Sequence, residues 1–267
     1  MKKIIFTGGG SGGHVIPART IINEIISRNT DISLFYIGGK KSIEREIISE
    51  VGICYYPIST GKLRRYFSVE NALDFFHFLF GIIQSLVILF SHRKNSVVFS
   101  TGGFVALPVV IASRILGIKS IIHEQTAVAG LANRISSKLC DQVLVSFEKS
   151  KVNFPSSKTI LTGYPVSKKC FEEPVFPIEI KKGASIPRKS EKKTLLITGG
   201  GNGSKLINDI TKENLEDLKK EFRVLHQVGK RFEPEFKNFD DDNYTSFGFT
   251  NSLIDLIKIS DVVVSRA

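Results

Sequence analysis

Short apolar runs alternate with longer amphipathic stretches through the first half of the chain. Apolar runs at residues 4–6 and 34–37 predict buried strands, and helical spacing predicts helices near residues 18–27 and 43–49. This alternation is typical of a parallel sheet with helices on both faces. Further strands are predicted downstream, at residues 97–100, 120–123, 143–146 and 159–161.

The pattern breaks between residues 172 and 193, where prolines stand among many charges without a hydrophobic period. Such a stretch indicates a domain boundary. A second series of strands follows, predicted at residues 194–198, 222–228, 244–249 and 262–265. We therefore expect three segments: a domain over residues 1–166, a linker over 167–193 and a second domain over 194–267.

The two series begin alike, because each has a strand that runs into three glycines. Residues 4–10 are IIFTGGG and residues 195–201 are LLITGGG. A strand, a glycine-rich turn and a helix form the start of a Rossmann-type unit. The sequence therefore predicts an α/β protein with two Rossmann-like doubly wound domains, of about seven and about four strands. The chain stops where a strand ends, so we expect the second domain to be incomplete.

A helix with two apolar faces is predicted over residues 75–90. One face carries Phe75, Phe78, Ile82 and Leu89. The other carries seven apolar residues: Phe76, Leu79, Phe80, Ile83, Leu86, Val87 and Phe90. We expect the larger face to pack on the sheet. Four exposed apolar side chains on the other face would then forfeit about 6–12 kcal/mol, so something must cover them.

An anionic membrane surface is the predicted cover for Phe75, Phe78 and Ile82. The sixteen residues are fewer than the roughly 20 needed to cross a bilayer, which favours an interfacial contact over a span. Basic residues flank the stretch, as such a contact requires: Lys62, Arg64, Arg65, Arg93 and Lys94. The alternative is a helix buried on both sides within the protein.

The composition indicates an anionic partner and argues against several classes of protein. The 37 basic and 26 acidic residues give a net charge of +11. This charge suits nucleic acid, a membrane or a phosphorylated substrate, or it serves only solubility. No nucleic-acid-binding module is recognised, so we expect no nucleic-acid partner. Three distant cysteines predict neither a disulfide framework nor a zinc site, and no signal peptide is recognised, so we expect a cytoplasmic protein without a metal.

The first glycine loop, residues 8–13, formally contains the Gly-x-Gly-x-x-Gly pattern. Such a loop brings N–H groups and a helix N-terminus close to an anionic or sugar ligand. A dinucleotide site also needs an acidic residue at the end of the second strand, but residues 38–41 are Gly-Gly-Lys-Lys. We therefore expect no nicotinamide or flavin cofactor. A purely structural turn is the alternative.

Two further segments supply candidate chemistry at strand ends. His14 follows the first loop and is a candidate base, because histidine accepts protons near neutral pH. Glu124, between His123 and Gln125, is a second catalytic candidate. The structural alternatives are a helix-start histidine bonded to backbone and a carboxylate paired with a helix terminus. The second glycine loop, residues 199–204, suits a diphosphate.

Together these segments resemble the MurG family, the bacterial transferases that add N-acetylglucosamine to lipid I in peptidoglycan synthesis. The similar segments follow the family order along the whole chain: GGGSGGHVIPA (8–18), GKLRRYFS (61–68), STGGFVALPVV (100–110), HEQTAVAGLANR (123–134), TGYPV (162–166), GGGNGSKLIN (199–208) and ISDVVVSRA (259–267).

The resemblance implies two GT-B-type domains and a metal-independent, inverting transfer. The donor would be UDP-N-acetylglucosamine, and the acceptor would be undecaprenyl-linked lipid I. The first domain would bind acceptor and membrane, the second would bind the donor nucleotide, and the protein would be peripheral on the cytoplasmic face of the bacterial cell membrane. The alternatives are an inactive truncated remnant and another lipid-linked GT-B transferase that acts on a diacylglycerol.

The resemblance also assigns binding residues by position. Those that match or substitute for family contacts are Ser11, Gly12, Gly13, Thr126, Asn133, Ser167, Gly201, Asn202 and Thr250. Four of them depart from the common pattern: Thr126 replaces Asn, Ser167 replaces a phosphate-binding Arg, Gly201 replaces Ser and Asn202 replaces Gln. The family also continues with a donor-sugar Glu that this sequence does not reach.

Overall fold

Strands and helices alternate through the chain in the computed structural model. The structure describes residues 2–28, 31–40, 42–61, 69–181, 184–186 and 191–265. The chain divides into two compact units, Met1–Val166 and Ser167–Ala267. They are called unit 1 and unit 2 below, and each is described by itself.

Unit 1 contains a parallel sheet of seven strands in the order β3-β2-β1-β4-β5-β6-β7. The strands are β1 (Lys2–Thr7), β2 (Ile32–Gly39), β3 (Cys54–Ile58), β4 (Ser96–Ser100), β5 (Lys119–Glu124), β6 (Gln142–Val145) and β7 (Thr159–Leu161). The helices are α1 (Gly12–Ser27), α2 (Ile43–Ser49), α3 (Val69–His92), α4 (Ala106–Ile115) and α5 (Leu131–Leu139). This arrangement confirms the predicted doubly wound α/β fold.

Helices cover both faces of this sheet, because alternate residues of a strand point to opposite sides. On β1, Ile5 packs with Leu89 of α3 and Val109 of α4. The next residue, Phe6, packs with α1 and α2 residues such as Ile22. The strand order changes direction between β1 and β4, so the loops after these strands flank the switch point where such folds bind ligands.

Unit 2 contains a four-stranded parallel sheet in the order β12-β11-β10-β13 and a separate antiparallel hairpin. The hairpin strands are β8 (Ile178–Lys181) and β9 (Ala184–Ile186), and the sheet strands are β10 (Lys193–Thr198), β11 (Phe222–Gln227), β12 (Tyr244–Phe247) and β13 (Val262–Ser265). The helices are α6 (Lys205–Glu213), α7 (Leu215–Glu221), α8 (Glu233–Phe236) and α9 (Leu253–Ile259).

The segment predicted as a linker contributes to the core of unit 2. Ile178, Ile180 and Ile186 of the hairpin are buried against Leu196 of β10 and Leu256 of α9. The three isoleucines, together with α9, cover one face of the second sheet. Residues 167–193 therefore lie within unit 2 rather than outside both units.

Helix α3 packs on unit 1 through a different face from the one predicted. Gly81, Ser85 and Leu89 are buried, and a Cβ on Gly81 would collide with the carbonyl oxygen of Ser59. The neighbouring Gln84 accepts a hydrogen bond from the Ser59 N–H at 2.6 Å. The small residues let the helix approach the backbone closely, and this approach determines which face is packed.

The exposed face of α3 therefore contains most of the larger apolar set together with Phe75, whereas Leu86 of that set packs against the core. Its members are each between 40% and 67% exposed: Phe75, Phe76, Leu79, Phe80, Ile83, Val87 and Phe90, here called the α3 apolar surface. Of the three residues predicted as membrane contacts, Phe75 is exposed, whereas Phe78 and Ile82 are half-buried, and their contact with lipid stays a prediction. Lys62, Arg64 and Arg65 lie outside the described residues.

One part of α3, Asp74–His92, is long and apolar enough by length and composition alone to cross a membrane. Its buried side chains also belong to the core that covers the first sheet: Leu89 packs with Ile37 and Val98. A helix that fills this place in unit 1 presents one side to its surroundings, and that side is the α3 apolar surface.

Candidate functional site

The loop between β1 and α1 is crowded on one side and open on the other. A Cβ on Gly8 would collide with the Thr101 side chain, and one on Gly10 (φ +85°) would collide with the Phe104 ring. In contrast, a Cβ on Gly12 would meet no described heavy atom within 4 Å. The first glycines are thus required for packing, whereas the start of α1 is open to a ligand.

The N-terminus of α1 retains unused donors. Ser11 occupies the N-cap position but makes no capping hydrogen bond with its side chain. Its carbonyl accepts the N–H groups of His14 and Val15. The N–H groups of Gly12 and Gly13 have no acceptor within the helix, as at any helix start, so they suit an anionic ligand.

A second glycine turn follows β4 and interlocks with the first loop. Gly102 and Gly103 have φ values of +90° and +84°, which favour glycine. A Cβ on Gly103 would collide with the carbonyl oxygen of Gly9 and lie 3.1 Å from Cδ2 of His14. This close approach places the His14 ring against the turn after β4.

The His14 ring has a defined hydrogen-bonding direction. Its Nδ1 lies 3.0 Å from the carbonyl oxygen of Thr101 and 3.3 Å from Oε1 of Gln125. A carbonyl oxygen can only accept, so Nδ1 carries the hydrogen in this arrangement. The Nε2 atom then carries the lone pair and can take a proton from a substrate hydroxyl.

Glu124 lies at the end of β5 and is 2% exposed. Its Oε1 accepts hydrogen bonds from the Thr126 N–H and hydroxyl, at 3.1 and 2.7 Å. Its Oε2 accepts from the Gly130 N–H at 3.1 Å and from Asn133 Nδ2 at 3.0 Å. These four contacts orient the buried Glu124 carboxylate within its own loop, and its catalytic role stays a prediction.

Asn133 connects this cluster to a cavity. It is 2% exposed, and its Nδ2 contacts Glu124 Oε2, while its Oδ1 has no hydrogen-bond partner among the described residues. A buried acceptor without a partner is costly unless a ligand or water supplies a donor. Asn133 lines a cavity of about 230 Å³ in unit 1 together with His14, Gly103, Phe104, Gly130, Leu131 and Ala132.

A buried carboxylate that sequence reasoning missed closes the other side of the first loop. Glu44, fully buried at the start of α2, accepts the N–H groups of Gly39 at 3.0 Å and Gly10 at 3.4 Å. The Tyr36 hydroxyl donates to the Gly8 carbonyl at 2.9 Å, and burial raises the pKa of this hydroxyl, which keeps its proton. Glu44 thereby fills the space between the loop and the end of β2.

In unit 2 the second glycine loop follows β10. Gly200 and Gly203 have φ values of +77° and +73°, and a Cβ on Gly203 would collide with the Val228 carbonyl oxygen. The Gly200 N–H donates to the Thr198 hydroxyl at 3.0 Å. The loop therefore lies against the end of β11, and it exposes Asn202.

Three predicted residues of unit 2 differ in how close they lie to this loop. A Cβ on Gly201 would lie 3.3 Å from the Phe249 ring, which directly precedes Thr250. Thr250 is buried, and its hydroxyl accepts the Ser252 N–H at 3.1 Å. Ser167 instead accepts the Lys169 N–H at 3.3 Å and caps a short 3₁₀ turn.

Lys230 and Phe249 were missed by sequence reasoning. The Lys230 Nζ lies 5.2 Å from the centre of the Phe249 ring, and the Lys230 N–H donates to the Gly201 carbonyl at 3.3 Å. An exposed aromatic ring beside a cation suits a flat, anionic ligand. The only signal in the sequence was their position after strands β11 and β12.

Comparison with known proteins connects this geometry to a family. The chain matches the Glycosyltransferase family 28 N-terminal domain over residues 4–145 and the C-terminal domain of the same family over residues 194–267. It is 41% identical over 273 residues to a Clostridium botulinum (strain Langeland) protein named UDP-N-acetylglucosamine--N-acetylmuramyl-(pentapeptide) pyrophosphoryl-undecaprenol N-acetylglucosamine transferase. The alignment covers 100% of this chain and 73% of that protein.

Further relatives agree with these matches. A transferase of the same name from Clostridium perfringens (strain 13) is 40% identical, with 99% of this chain and 72% of that protein covered. The crystal structure of Acinetobacter baumannii MurG has a TM-score of 0.66 at 22% identity and covers 100% of this chain and 72% of that one. A UDP-GlcNAc 2-epimerase from Neisseria meningitidis shares the fold with a TM-score of 0.65 at 16% identity, with coverage of 100% and 78%. Sequence identity at this level over the whole chain, with both domain matches in order, shows that the chain belongs to glycosyltransferase family 28 and, within it, to the MurG family.

Proposed function

We propose that this chain transfers N-acetylglucosamine from UDP-N-acetylglucosamine to undecaprenyl-diphosphate-linked N-acetylmuramoyl-pentapeptide, converting lipid I to lipid II. The reaction is the one named for the relatives that are 41% identical over the whole chain. The observation that carries the proposal is the His14 ring, whose Nδ1–H is held by Thr101 and whose Nε2 is left as a base beside an open helix start.

In the proposed reaction His14 is the catalytic base. The acceptor sugar hydroxyl oxygen attacks C1 of the donor sugar, and the bond from C1 to the UDP oxygen breaks. The hydroxyl proton passes to Nε2 of His14, and the bonding electron pair leaves with UDP. Transfer of this proton by a positioned histidine contributes about 10²–10⁴-fold to the rate.

We place the acceptor in unit 1. The free N–H groups of Gly12 and Gly13, together with the positive end of the α1 dipole, suit the acceptor diphosphate. Asn133 Oδ1, buried and without a described partner, can accept a hydrogen bond from an N–H or O–H group of the acceptor. Thr126 helps indirectly, because it holds Glu124, which in turn holds Asn133.

We place the donor in unit 2. Gly201 and Asn202 lie on the second glycine loop, Thr250 follows the Phe249 ring, and Lys230 supplies a positive charge beside them. These groups suit a uracil ring and a diphosphate. Ser167, which replaces the family's Arg, provides no such charge, so Lys230 is the basic residue that we propose for this role.

We propose that the α3 apolar surface holds the protein on the cytoplasmic face of the bacterial membrane. The guanidinium of Arg93 lies 3.9 Å from the centre of the Phe90 ring, so a positive charge borders the apolar patch. Exposed Lys94 follows it. Apolar insertion beside basic residues is the pattern of peripheral attachment to anionic lipids.

The test of the reaction uses the 267-residue chain, radiolabelled UDP-N-acetylglucosamine and lipid I in detergent micelles. We expect label to appear in a lipid-linked disaccharide product. The His14→Ala variant should lower the turnover number by about 10²–10⁴-fold and leave UDP-N-acetylglucosamine binding within about twofold, because His14 lies in unit 1. A folded parent chain that forms no labelled lipid would contradict the proposal, and unchanged turnover in the variant would remove His14 as the base.

A further inference from the structure

We propose that Gln125 is a positioning residue that sets the tautomer of His14. The inference rests on the proposed role of His14 as the catalytic base, and it concerns a residue that touches neither glycine loop. Gln125 directly follows Glu124 at the end of β5 and is 5% exposed. It lies between two histidines, His14 and His123.

The orientation of the Gln125 amide follows from its neighbours. One terminal atom of the side chain lies 2.9 Å from the Thr101 carbonyl oxygen. A carbonyl oxygen only accepts, so this atom must be Nε2, and the other must be Oε1. Oε1 therefore faces Nδ1 of His14, at 3.3 Å, as an acceptor.

The second contact of the amide explains the role of His123. Gln125 Nε2 has two hydrogens and three neighbouring acceptors: the Thr101 carbonyl at 2.9 Å, the His123 carbonyl at 3.1 Å and His123 Nδ1 at 3.2 Å. His123 Nδ1 presents its lone pair, because the Gly163 carbonyl beside His123 Nε2 can only accept. His123 Nε2 then carries the hydrogen and donates to the Gly163 carbonyl at 3.1 Å. Burial lowers the pKa of His123, which agrees with a neutral ring at this position.

The result is a chain of directed hydrogen bonds that ends at the base. The Gly163 carbonyl fixes the tautomer of His123, the acceptors of Thr101 and His123 fix the Gln125 amide, and Gln125 together with Thr101 presents two acceptors to Nδ1 of His14. Free histidine favours the tautomer with hydrogen on Nε2, which could not accept the substrate proton. Two acceptors at Nδ1 favour the opposite tautomer and also stabilise the ring after it takes a proton.

The tautomer is measured directly, without substrate, from the ¹⁵N chemical shifts of the His14 ring in labelled protein at mildly alkaline pH. The chain has five histidines, and the His14→Asn variant assigns the signal. We expect the parent to show the Nδ1–H tautomer. The Gln125→Met variant keeps the side-chain length but removes the amide, so its His14 signals should shift towards the Nε2–H values. Gln125→Ala removes the amide with a smaller side chain and should shift the His14 signals in the same direction.

A matched control is Gln142→Met, the same change at the opposite end of the neighbouring strand β6. It should leave the His14 signals and turnover unchanged. In the transfer assay, Gln125→Met should lower kcat by about 10-fold with KM changed by less than about twofold, the lower end of the range for residues that orient a functional histidine.

The outcomes separate this inference from the proposed reaction. An Nε2–H tautomer in the parent, or His14 signals in folded Gln125→Met that equal those of the parent, would overturn the role of Gln125. If Gln125→Met does not fold, Gln125→Ala decides: a shift towards the Nε2–H tautomer supports the role, and parent-like signals contradict it. The expected tautomers together with a parent that transfers no sugar would reject the reaction and leave the role of Gln125 intact.

Discussion

At the scale of single residues, Gly103 and Gly117 have the same backbone conformation in different surroundings. Their φ values are +84° and +67°, so alanine at either position costs about 1–2 kcal/mol of left-handed strain. A Cβ on Gly117 meets no described heavy atom within 4 Å, whereas one on Gly103 collides with the Gly9 carbonyl. We expect Gly103→Ala to lower the free energy of unfolding by clearly more than Gly117→Ala, measured by urea denaturation.

The same pair of variants separates packing from catalysis. A Cβ at position 103 would also lie 3.1 Å from Cδ2 of His14. Gly103→Ala should therefore reduce turnover at temperatures where the variant stays folded, and Gly117→Ala should not. Equal destabilisation by the two variants would show that the turn after β4 can move away from the first glycine loop.

His226 gives unit 2 a dependence on pH. Its ring is buried, with Nδ1 2.9 Å from the Tyr244 hydroxyl, and its Nε2 has no partner among the described residues. Burial lowers the pKa of His226 from its usual 6.5 to about 4. Between these values the unfolded chain binds a proton that the folded chain does not, so stability falls as the pH falls from 6.5 to 4.

This loss should reach on the order of 3 kcal/mol at pH 4, at about 1.4 kcal/mol for each pKa unit. We expect the His226→Gln variant to lose less stability than the parent over this range, measured by denaturant titration at several pH values. The exposed His77→Gln is the control and should keep the parent slope. A parent whose stability does not change between pH 6.5 and 4 would contradict a buried neutral His226.

At the scale of elements, substitutions on the two faces of α3 should have different effects. Those on the exposed face should weaken membrane binding, and those on the packed face should lower stability. Phe76, Phe80 and Ile83 are exposed, so replacing all three with Ser should weaken co-sedimentation with anionic vesicles while the melting temperature stays within a few degrees. Leu89→Ser removes a fully buried side chain and should lower the free energy of unfolding by several kcal/mol, in the range of about 2–5 for large-to-small core changes.

Vesicle binding by the triple Ser variant at the parent level would show that the α3 apolar surface does not contact lipid. Equal loss of stability in the triple variant and in Leu89→Ser would show that both faces are packed. The half-buried Phe78 provides an internal comparison, because Phe78→Ser should affect stability and vesicle binding together.

The same helix shows what the hydrophobic pattern could and could not predict. The spacing of apolar residues predicted two apolar faces, but Phe75 of the smaller face is exposed and Leu86 of the larger face packs against the core. The choice of the packed face depended on Gly81, whose small size permits close contact with the Ser59 backbone. That contact joins residues more than twenty positions apart, so it cannot be predicted from the apolar periodicity of the helix.

Two other features depended in a similar way on contacts made in the folded chain. The hairpin of unit 2 alternates Ile-Glu-Ile and Ala-Ser-Ile, a strand period of two that nearby prolines and charges obscured. Glu124 was recognised as a residue of the site, but its orientation depended on the four donors that the following loop folds around it. The expected counts of about seven and about four strands agree with the two parallel sheets, because buried parallel strands are short, continuous apolar runs. The strand β3, whose sequence CYYPI is not such a run, was not located from the sequence.

At the scale of the whole molecule, the charge is divided unevenly. Residues 1–166 contain 19 basic and 10 acidic residues, a net charge of +9, whereas residues 167–267 contain 18 basic and 16 acidic residues, a net charge of +2. The α3 apolar surface also belongs to the first segment. Apolar insertion and electrostatic attraction therefore favour the same half of the chain as the part that meets an anionic membrane.

Each of the described core clusters lies within one unit, so the core divides between residues 166 and 167, as the charge does. The clusters around Ile5, Phe6 and Val143 draw on residues of unit 1, and those around Leu196 and Leu195 draw on residues of unit 2. A segment with its own sheet and its own core is expected to fold alone. We therefore expect a fragment of residues 1–166 to unfold cooperatively, measured by circular dichroism during urea titration.

Such a fragment should bind vesicles that contain anionic lipid nearly as well as the whole chain, and a fragment of residues 167–267 should bind them far more weakly. Raising the salt concentration from about 0.1 M to 1 M shortens the Debye length from about 10 Å to 3 Å, so binding of the first fragment should weaken but persist through the α3 apolar surface. A fragment of residues 1–166 that carries Phe76→Ser, Phe80→Ser and Ile83→Ser should retain only the salt-sensitive, electrostatic part of vesicle binding. Stronger vesicle binding by the second fragment, or binding of the first that disappears completely at high salt, would contradict an attachment that uses both the charge and the apolar face of unit 1.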